Sequence, residues 1–126
     1  MSPPMSRVVL GRLVGARSGD KGGAANIGIF VPQAVPDPDA AYAWLENWLT
    51  VDRIHELVPD SSGLRVEIFA LPTLGAVNVV IHGLLGRGVS ENSSLDPQAK
   101  GLGEQVRARL VDIPDHLLPP EGANLA

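Results

Sequence analysis

The chain has 126 residues, of which 44% are apolar and 19% charged, and its net charge is −4. That length fits one domain able to bury about two thirds of its unfolded surface. The absence of cysteine excludes a disulfide framework, a thiolate metal site and a cysteine nucleophile, while the acidic balance without any basic run argues against a nucleic-acid partner.

Met1–Arg7 has no apolar signal core, and no segment approaches the length of a membrane span. The expectation is a cytoplasmic protein without membrane association. Residues 1–6 carry two prolines and read as a disordered N-terminus. Arg7 to Arg17 is rich in Val and Leu and reads as a strand, with Gly11 and Gly15 marking a bulge or a close approach. Ser18 to Gly23 reads as a loop by its glycines. Asn26 to Val31 alternates, with Ile27, Ile29 and Val31 on one face and Asn26, Gly28 and Phe30 on the other. It should form a hairpin with the first strand.

Asp37-Pro38 is a helix start, with Asp as N-cap and Pro at the first helical position. Ala41, Trp44, Leu45, Trp48 and Leu49 then repeat at helical spacing. Thr50 caps a short second helix over 51–58, with Ile54, Leu57 and Val58 facing inward, and Pro59 to Gly63 ends it. Leu64 to Leu71 alternates as a strand, with Val66 and Ile68 on one face and Arg65, Glu67 and Phe69 on the other. A turn at Pro72–Gly75 leads to a strand at Ala76–His82, then a glycine-containing loop over Gly83–Ser94. Asp96-Pro97 repeats the Asp-Pro helix start, and Leu102, Val106 and Leu110 give that helix an apolar stripe weakened by Gly101 and Gly103. The domain is expected over residues 7–114, and residues 115–126 read as a loose, Pro-rich tail.

Gly23-Ala24-Ala25-Asn26-Ile27-Gly28-Ile29 aligns with Gly75-Ala76-Val77-Asn78-Val79-Val80-Ile81. Each copy precedes an Asp-Pro helix, so the order is strand-strand-helix, twice. The fold class that follows is α+β, a ferredoxin-like fold in permuted ββαββα order. It has a four-stranded antiparallel sheet with helices on one face. If helices cover the face of Ile27, Val66 and Val79, the other face carries Gly28, Phe30, Phe69, Val80 and His82. A partly apolar open face points to association with a second copy or another subunit.

The lysines concentrate the chemical signal. There are only two, Lys21 and Lys100, against eight arginines, and each follows an aspartate in a Gly-containing segment. Lys and Arg differ in shape, hydration and pKa behaviour, so a chain that otherwise uses Arg can reserve Lys for a compact ammonium. In Arg17-Ser18-Gly19-Asp20-Lys21-Gly22-Gly23 the glycine amides can form an anion cradle, with Arg17 and Lys21 adding charge. The competing reading is a hairpin whose glycines supply positive φ while Ser18 or Asp20 bonds the backbone. It is not a Walker loop, since no Gly-Lys-Ser/Thr follows the spacer. Gly83 to Gly88 lacks the glycine order of a dinucleotide fingerprint. Asn26 and Asn78 begin equivalent strands, and Asp96 fits an N-cap. His55, His82 and His116 lack ligand spacing, so no metal is expected, and no cofactor is implied. No serine stands in a nucleophile elbow.

Arg17-Ser18-Gly19-Asp20-Lys21-Gly22, Ala25-Asn26-Ile27-Gly28, Leu71-Pro72, Asn78, Leu84-Leu85-Gly86, Gly88-Val89-Ser90, Leu95-Asp96 and Lys100 together resemble the C-terminal domain of AtuA-like (acyclic terpene utilisation) proteins. The resemblance runs from about Val8 to Pro114 and departs from the family at Arg87 and Ala99, where glycine is usual. It implies a ferredoxin-like fold and a setting in acyl-CoA catabolism of terpenoid or branched-chain compounds. In that family the small domain is fused to a larger one or occurs as a separate chain, and this chain reads as the separate form. The leading expectation is therefore an accessory subunit of a large AtuA-like partner that binds an anionic metabolite such as an acyl-CoA. Its ligand-binding candidates are Arg17, Ser18, Gly19, Asp20, Lys21, Gly22, Gly23, Asn26, Asn78, Asp96 and Lys100. The alternative is a structural oligomerisation module that associates through Phe30, Phe69, Val80 and His82. A third reading is a small enzyme with Asp20 and Lys21 as an acid–base pair.

Overall fold

The computed structural model describes residues 4–21, 23–84 and 95–120, with backbone only at 20, 21 and 95–100. Among them are strands β1 (Met5–Val9), β2 (Gly15–Lys21), β3 (Ala24–Phe30), β4 (Val66–Leu71), β5 (Ala76–Ile81) and β6 (Leu110–Pro114). The helices are α1 (Pro38–Trp48), α2 (Val51–Leu57) and α3 (Leu95–Arg107). The main sheet is antiparallel, in the order β2-β3-β5-β4, and β1 and β6 form a separate antiparallel ribbon. This is the expected α+β ferredoxin-like arrangement, with a ribbon added.

Alternation in the central strands sets which face is covered. Ala25, Ile27, Ile29, Val77, Val79 and Ile81 are buried, and the register pairs Ile27 with Val79 and Val79 with Ile68. Against this face pack Ala41 and Leu45 of α1, Ile54 and Leu57 of α2, and Leu102 and Val106 of α3. Two of the three helix starts read from sequence carry their caps, whereas Asp96, read as the third cap, falls inside α3, which begins at Leu95. The Asp37 carboxylate accepts from the Ala40 amide at 3.1 Å, and the Thr50 hydroxyl from the Arg53 amide at 3.2 Å. Each such cap contributes about 1 kcal/mol.

The internal repeat has a geometric meaning. Its equivalent residues Ile27 and Val79 are direct partners on the two central strands, so a pseudo-twofold axis passes between them. The glycines that open the two copies, Gly23 and Gly75, both take positive φ, at 94° and 60°. Each sits where its hairpin turns, a conformation that glycine adopts without a Cβ penalty.

Three elements differ from the sequence reading. The single strand expected over Arg7–Arg17 divides into β1 and β2, separated by a 3-10 turn at Leu10–Arg12. Leu10, Leu13 and Val14 turn into the core there, and the Leu10 amide donates to the Arg109 carbonyl at 2.9 Å. Most of the loop expected over Ser18–Gly23 is strand, because β2 stays paired to β3 as far as Lys21–Ala24. Leu110 leaves the helical stripe and enters β6 opposite Val9, where it is exposed. Long-range pairing with β1 outweighs the local helical spacing there. Residues 115–120 form a 3-10 turn and an extended end. Leu117 is buried, and the Asp115 amide donates to the Pro4 carbonyl at 2.9 Å. The loop read at 83–94 lies largely outside the described residues.

Candidate functional site

Among the described residues no helix packs on one face of the main sheet, and the register defines the rows of that face. Arg17, Gly28, Asn78 and Phe69 form one row across β2, β3, β5 and β4, and Gly19, Asn26, Val80 and Glu67 form the next. Arg17, Asn26 and Asn78 therefore share a face, with Gly19 and Gly28 as gaps among them. A Cβ at Gly19 would meet nothing within 4 Å, and one at Gly28 only the Arg17 carbonyl at 3.9 Å. The result is a shallow floor of backbone bordered by one guanidinium and two carboxamides. Asn26 and Asn78 are repeat equivalents, so the pseudo-twofold axis places them diagonally about the centre of this face.

Aromatic and charged groups border the floor. The Arg17 guanidinium lies 5.6 Å from the centroid of the Phe30 ring. That ring lies over Gly15, where a Cβ would come within 2.3 Å of it. On the opposite side, His82 Nε2 donates to Glu67 Oε1 at 2.6 Å and Arg65 Nη2 lies 3.3 Å from Glu67 Oε2. The hydrogen bond from His82 is the main cause that holds the Glu67 carboxyl below its ordinary range, with the nearby Arg65 charge adding to it. Sequence alternation had put Arg65 and Glu67 on this face, but their linkage to His82 needs the register of β4 on β5.

Ser18 points the other way. It pairs with Ile27 on the helix-covered face, and its hydroxyl accepts from the Gly103 amide of α3 at 3.1 Å. It docks a helix instead of bordering the open face. Gly19 lies within the paired strand and is not free to join a loop cradle, and Gly22 lies outside the described residues. The side chains of Asp20, Lys21, Asp96 and Lys100 also lie outside them. Their backbones belong to β2 and α3. Gly103 packs on Ser18, while Arg107 Nε donates to the Val14 carbonyl at 3.1 Å. Hence α3 runs antiparallel to β2, and its earlier turns lie toward the Lys21–Ala24 end.

His55, like His82, has a local partner. His55 Nδ1 meets the buried Ser61 hydroxyl at 3.0 Å, and that hydroxyl donates to the Val58 carbonyl at 2.6 Å, closing the end of α2. Among the described residues no group of His, Asp and Glu is arranged to hold a metal ion, and no helix is long and apolar enough to cross a membrane. A cavity of about 540 Å³ lies elsewhere, between the ribbon and the helices, bordered by Arg7, Trp48, Arg53, Glu56, Arg109 and Asp112. Two of its arginines already face carboxylates, with Arg7–Asp112 at 3.5 Å and Arg53–Glu56 at 3.3 Å. None of the sequence candidates borders it.

A four-stranded antiparallel sheet, helices on one face and a polar open face define a ferredoxin-like α+β domain. The chain belongs to the AtuA ferredoxin-like domain family, whose family model matches residues 8–112. No curated protein and no solved structure matches it.

Proposed function

We propose that this chain works with a larger AtuA-like subunit and that its open sheet face binds an anionic metabolite of the acyl-CoA class at their junction. The observation that carries the reading is the convergence of Arg17, Asn26 and Asn78 on one helix-free face, around the floor left by Gly19 and Gly28. A guanidinium grips phosphate or carboxylate through paired N–H donors. Carboxamides can donate to a carbonyl oxygen and accept from a hydroxyl or amide. The glycines let a ligand approach the backbone closely. Lys21, and with it Asp20, stands at the end of the same hairpin. The direction of α3 favours a contribution from Asp96 and Lys100 at that end. The family setting supports acyl-CoA chemistry in terpenoid or branched-chain catabolism.

The test is calorimetry of a branched-chain acyl-CoA against the chain together with the large subunit that co-purifies with it. Arg17→Ala and Asn78→Ala should each weaken binding at least about tenfold, as expected for losing a hydrogen bond to a charged group. Unchanged affinity in both variants would sink the proposal. Phe69 and Leu71, both exposed on the same sheet, favour the alternative of a structural oligomerisation module. In that case Arg17→Ala would leave every assembly and binding property unchanged.

A further inference from the structure

The sheet order leaves β4 as an edge, and the register shows which of its backbone groups are unpaired. The His82 amide donates to the Arg65 carbonyl at 2.9 Å, which makes these residues a hydrogen-bonded pair of the ladder with β5. Antiparallel alternation then directs Glu67, Phe69 and Leu71 toward β5, while Val66, Ile68 and Ala70 present N–H and C=O outward. No hydrogen bond to those outward groups occurs among the described residues. The strand Val-Glu-Ile-Phe-Ala-Leu holds no proline or lysine, two of the guards of an edge, and its one charge, Glu67, is already paired with His82 and Arg65. Its last three residues are exposed, Phe69 at 46% and Leu71 at 39%, and Leu74 beyond them stands at 72%.

An unguarded ladder takes another extended strand, and the side chains specify which one. We propose that two copies of this chain pair β4 with β4 in antiparallel register about Phe69, continuing the sheet from one molecule into the next. Centring on Phe69 sets Ile68 opposite Ala70 and Glu67 opposite Leu71, so no like charges meet. Roughly four backbone hydrogen bonds form between the outward groups. Phe69 bonds toward β5, so it meets its own copy in the closely spaced, non-hydrogen-bonded position where aromatic pairs stabilise a sheet. Shifting the centre to Ile68 sets Phe69 against Glu67, and shifting it to Glu67 sets two carboxylates against each other. A twofold pairing of this kind is isologous and closes at two copies. It leaves Arg17, Asn26 and Asn78 uncovered and is independent of the proposed ligand.

The absence of native cysteine makes the register directly testable. Phe69→Cys places two Cα atoms about 4.5 Å apart across the axis, within the range of a disulfide. Leu71→Cys places each thiol opposite Glu67 and away from its own copy. Under mild oxidation of the full chain, Phe69→Cys should cross-link to a dimer and Leu71→Cys should not. Ala70→Pro deletes one outward N–H without touching the bonds to β5, and sedimentation equilibrium should show its dimer dissociating at least tenfold more readily. A wild-type chain that stays monomeric into the high micromolar range overturns the proposal. So does a dimer that cross-links equally at both positions, or one that Ala70→Pro leaves intact.

Discussion

The Gly103 amide of α3 donates to the Ser18 hydroxyl of β2 at 3.1 Å, and Gly103 adds no side chain of its own to the contact. A Cβ on Gly103 would lie 3.3 Å from the Ser18 oxygen and 3.4 Å from both the Cβ and the carbonyl oxygen of Ala16. Gly101, two residues earlier, would meet nothing within 4 Å. The same helix therefore carries one glycine required by packing and one that is only a propensity loss. Gly101→Ala should stabilise the domain by about 1 kcal/mol, the usual gain over glycine within a helix. Gly103→Ala should lose that gain to crowding, and Gly103→Val should destabilise by about 1–3 kcal/mol, the usual range for overpacking. Urea denaturation of the three variants checks the contrast. A Gly103→Val variant as stable as wild type would mean that α3 does not dock here.

That contact also marks the limit of sequence reading at this site. Ser18 stood among the ligand-binding candidates because it sits between Arg17 and Gly19 in the glycine-containing run. Strand alternation separates these neighbours, with Arg17 on the open face and Ser18 beneath α3. Which of them is available depends on β2 remaining paired through Lys21, and the glycines of that segment hid this pairing. The central strands were legible because Ile27, Ile29, Val77 and Val79 alternate strictly, and the starts of α1 and α2 because Asp37-Pro38 and Thr50 carry their own caps, whereas Asp96 lies inside α3. The β1–β6 ribbon was not legible. Its partners lie at opposite ends of the chain, and local patterning assigned Leu110 to the preceding helix. Asn26 and Asn78 were visible as repeat equivalents, but only the register shows that they share a face with Arg17.

Phe30 and Gly15 form a direct cross-strand pair, with the aromatic ring covering the position of the missing Cβ. A large ring over a strand glycine shields backbone that would otherwise face water. Gly15→Ala would bring a methyl within 2.3 Å of the ring, and the ring, being only half-buried, would rotate away. The expected cost is about 1 kcal/mol, made up of lost ring contact and the lost stacking of Arg17 on Phe30. The Arg17 side-chain resonances should shift in the variant. Unshifted resonances, with unchanged stability, would show that the ring does not hold Arg17.

Glu67 should govern acid sensitivity on the open face. Its folded pKa lies below the ordinary carboxylate value of 4.5, first because His82 donates to it and then because Arg65 is near. A depressed folded pKa contributes stability above the unfolded value, and that contribution is lost as pH falls through the folded value. His82→Ala should therefore raise the Glu67 pKa toward its ordinary value, as followed by carboxyl carbon NMR. The variant should lose less stability than wild type on acidification below about pH 5, the region where this linkage acts. Identical Glu67 titrations in the two proteins would remove the hydrogen bond as the cause.

Tyr42 makes the opposite prediction at alkaline pH. Its hydroxyl donates to the Ala76 carbonyl at 3.0 Å, tying α1 to the first residue of β5. Burial raises its pKa above the ordinary 10.0, and the neighbouring Glu46 carboxylate adds to the shift. A folded pKa raised above the unfolded one favours the neutral phenol. Its stability contribution is complete below the ordinary value and is lost as pH rises through the folded one. Tyr42→Phe should cost about 1 kcal/mol near neutrality, the usual value of one hydrogen bond. As pH rises above about 10, where the phenol of the unfolded chain ionises first, the wild type should lose stability more steeply than the variant, so the gap between them narrows. Tyr42 is the only tyrosine in the chain, so phenolate absorbance reports its titration without interference from another phenol. A phenol that titrates at or below its ordinary value in the folded protein would refute the partly buried, donating hydroxyl.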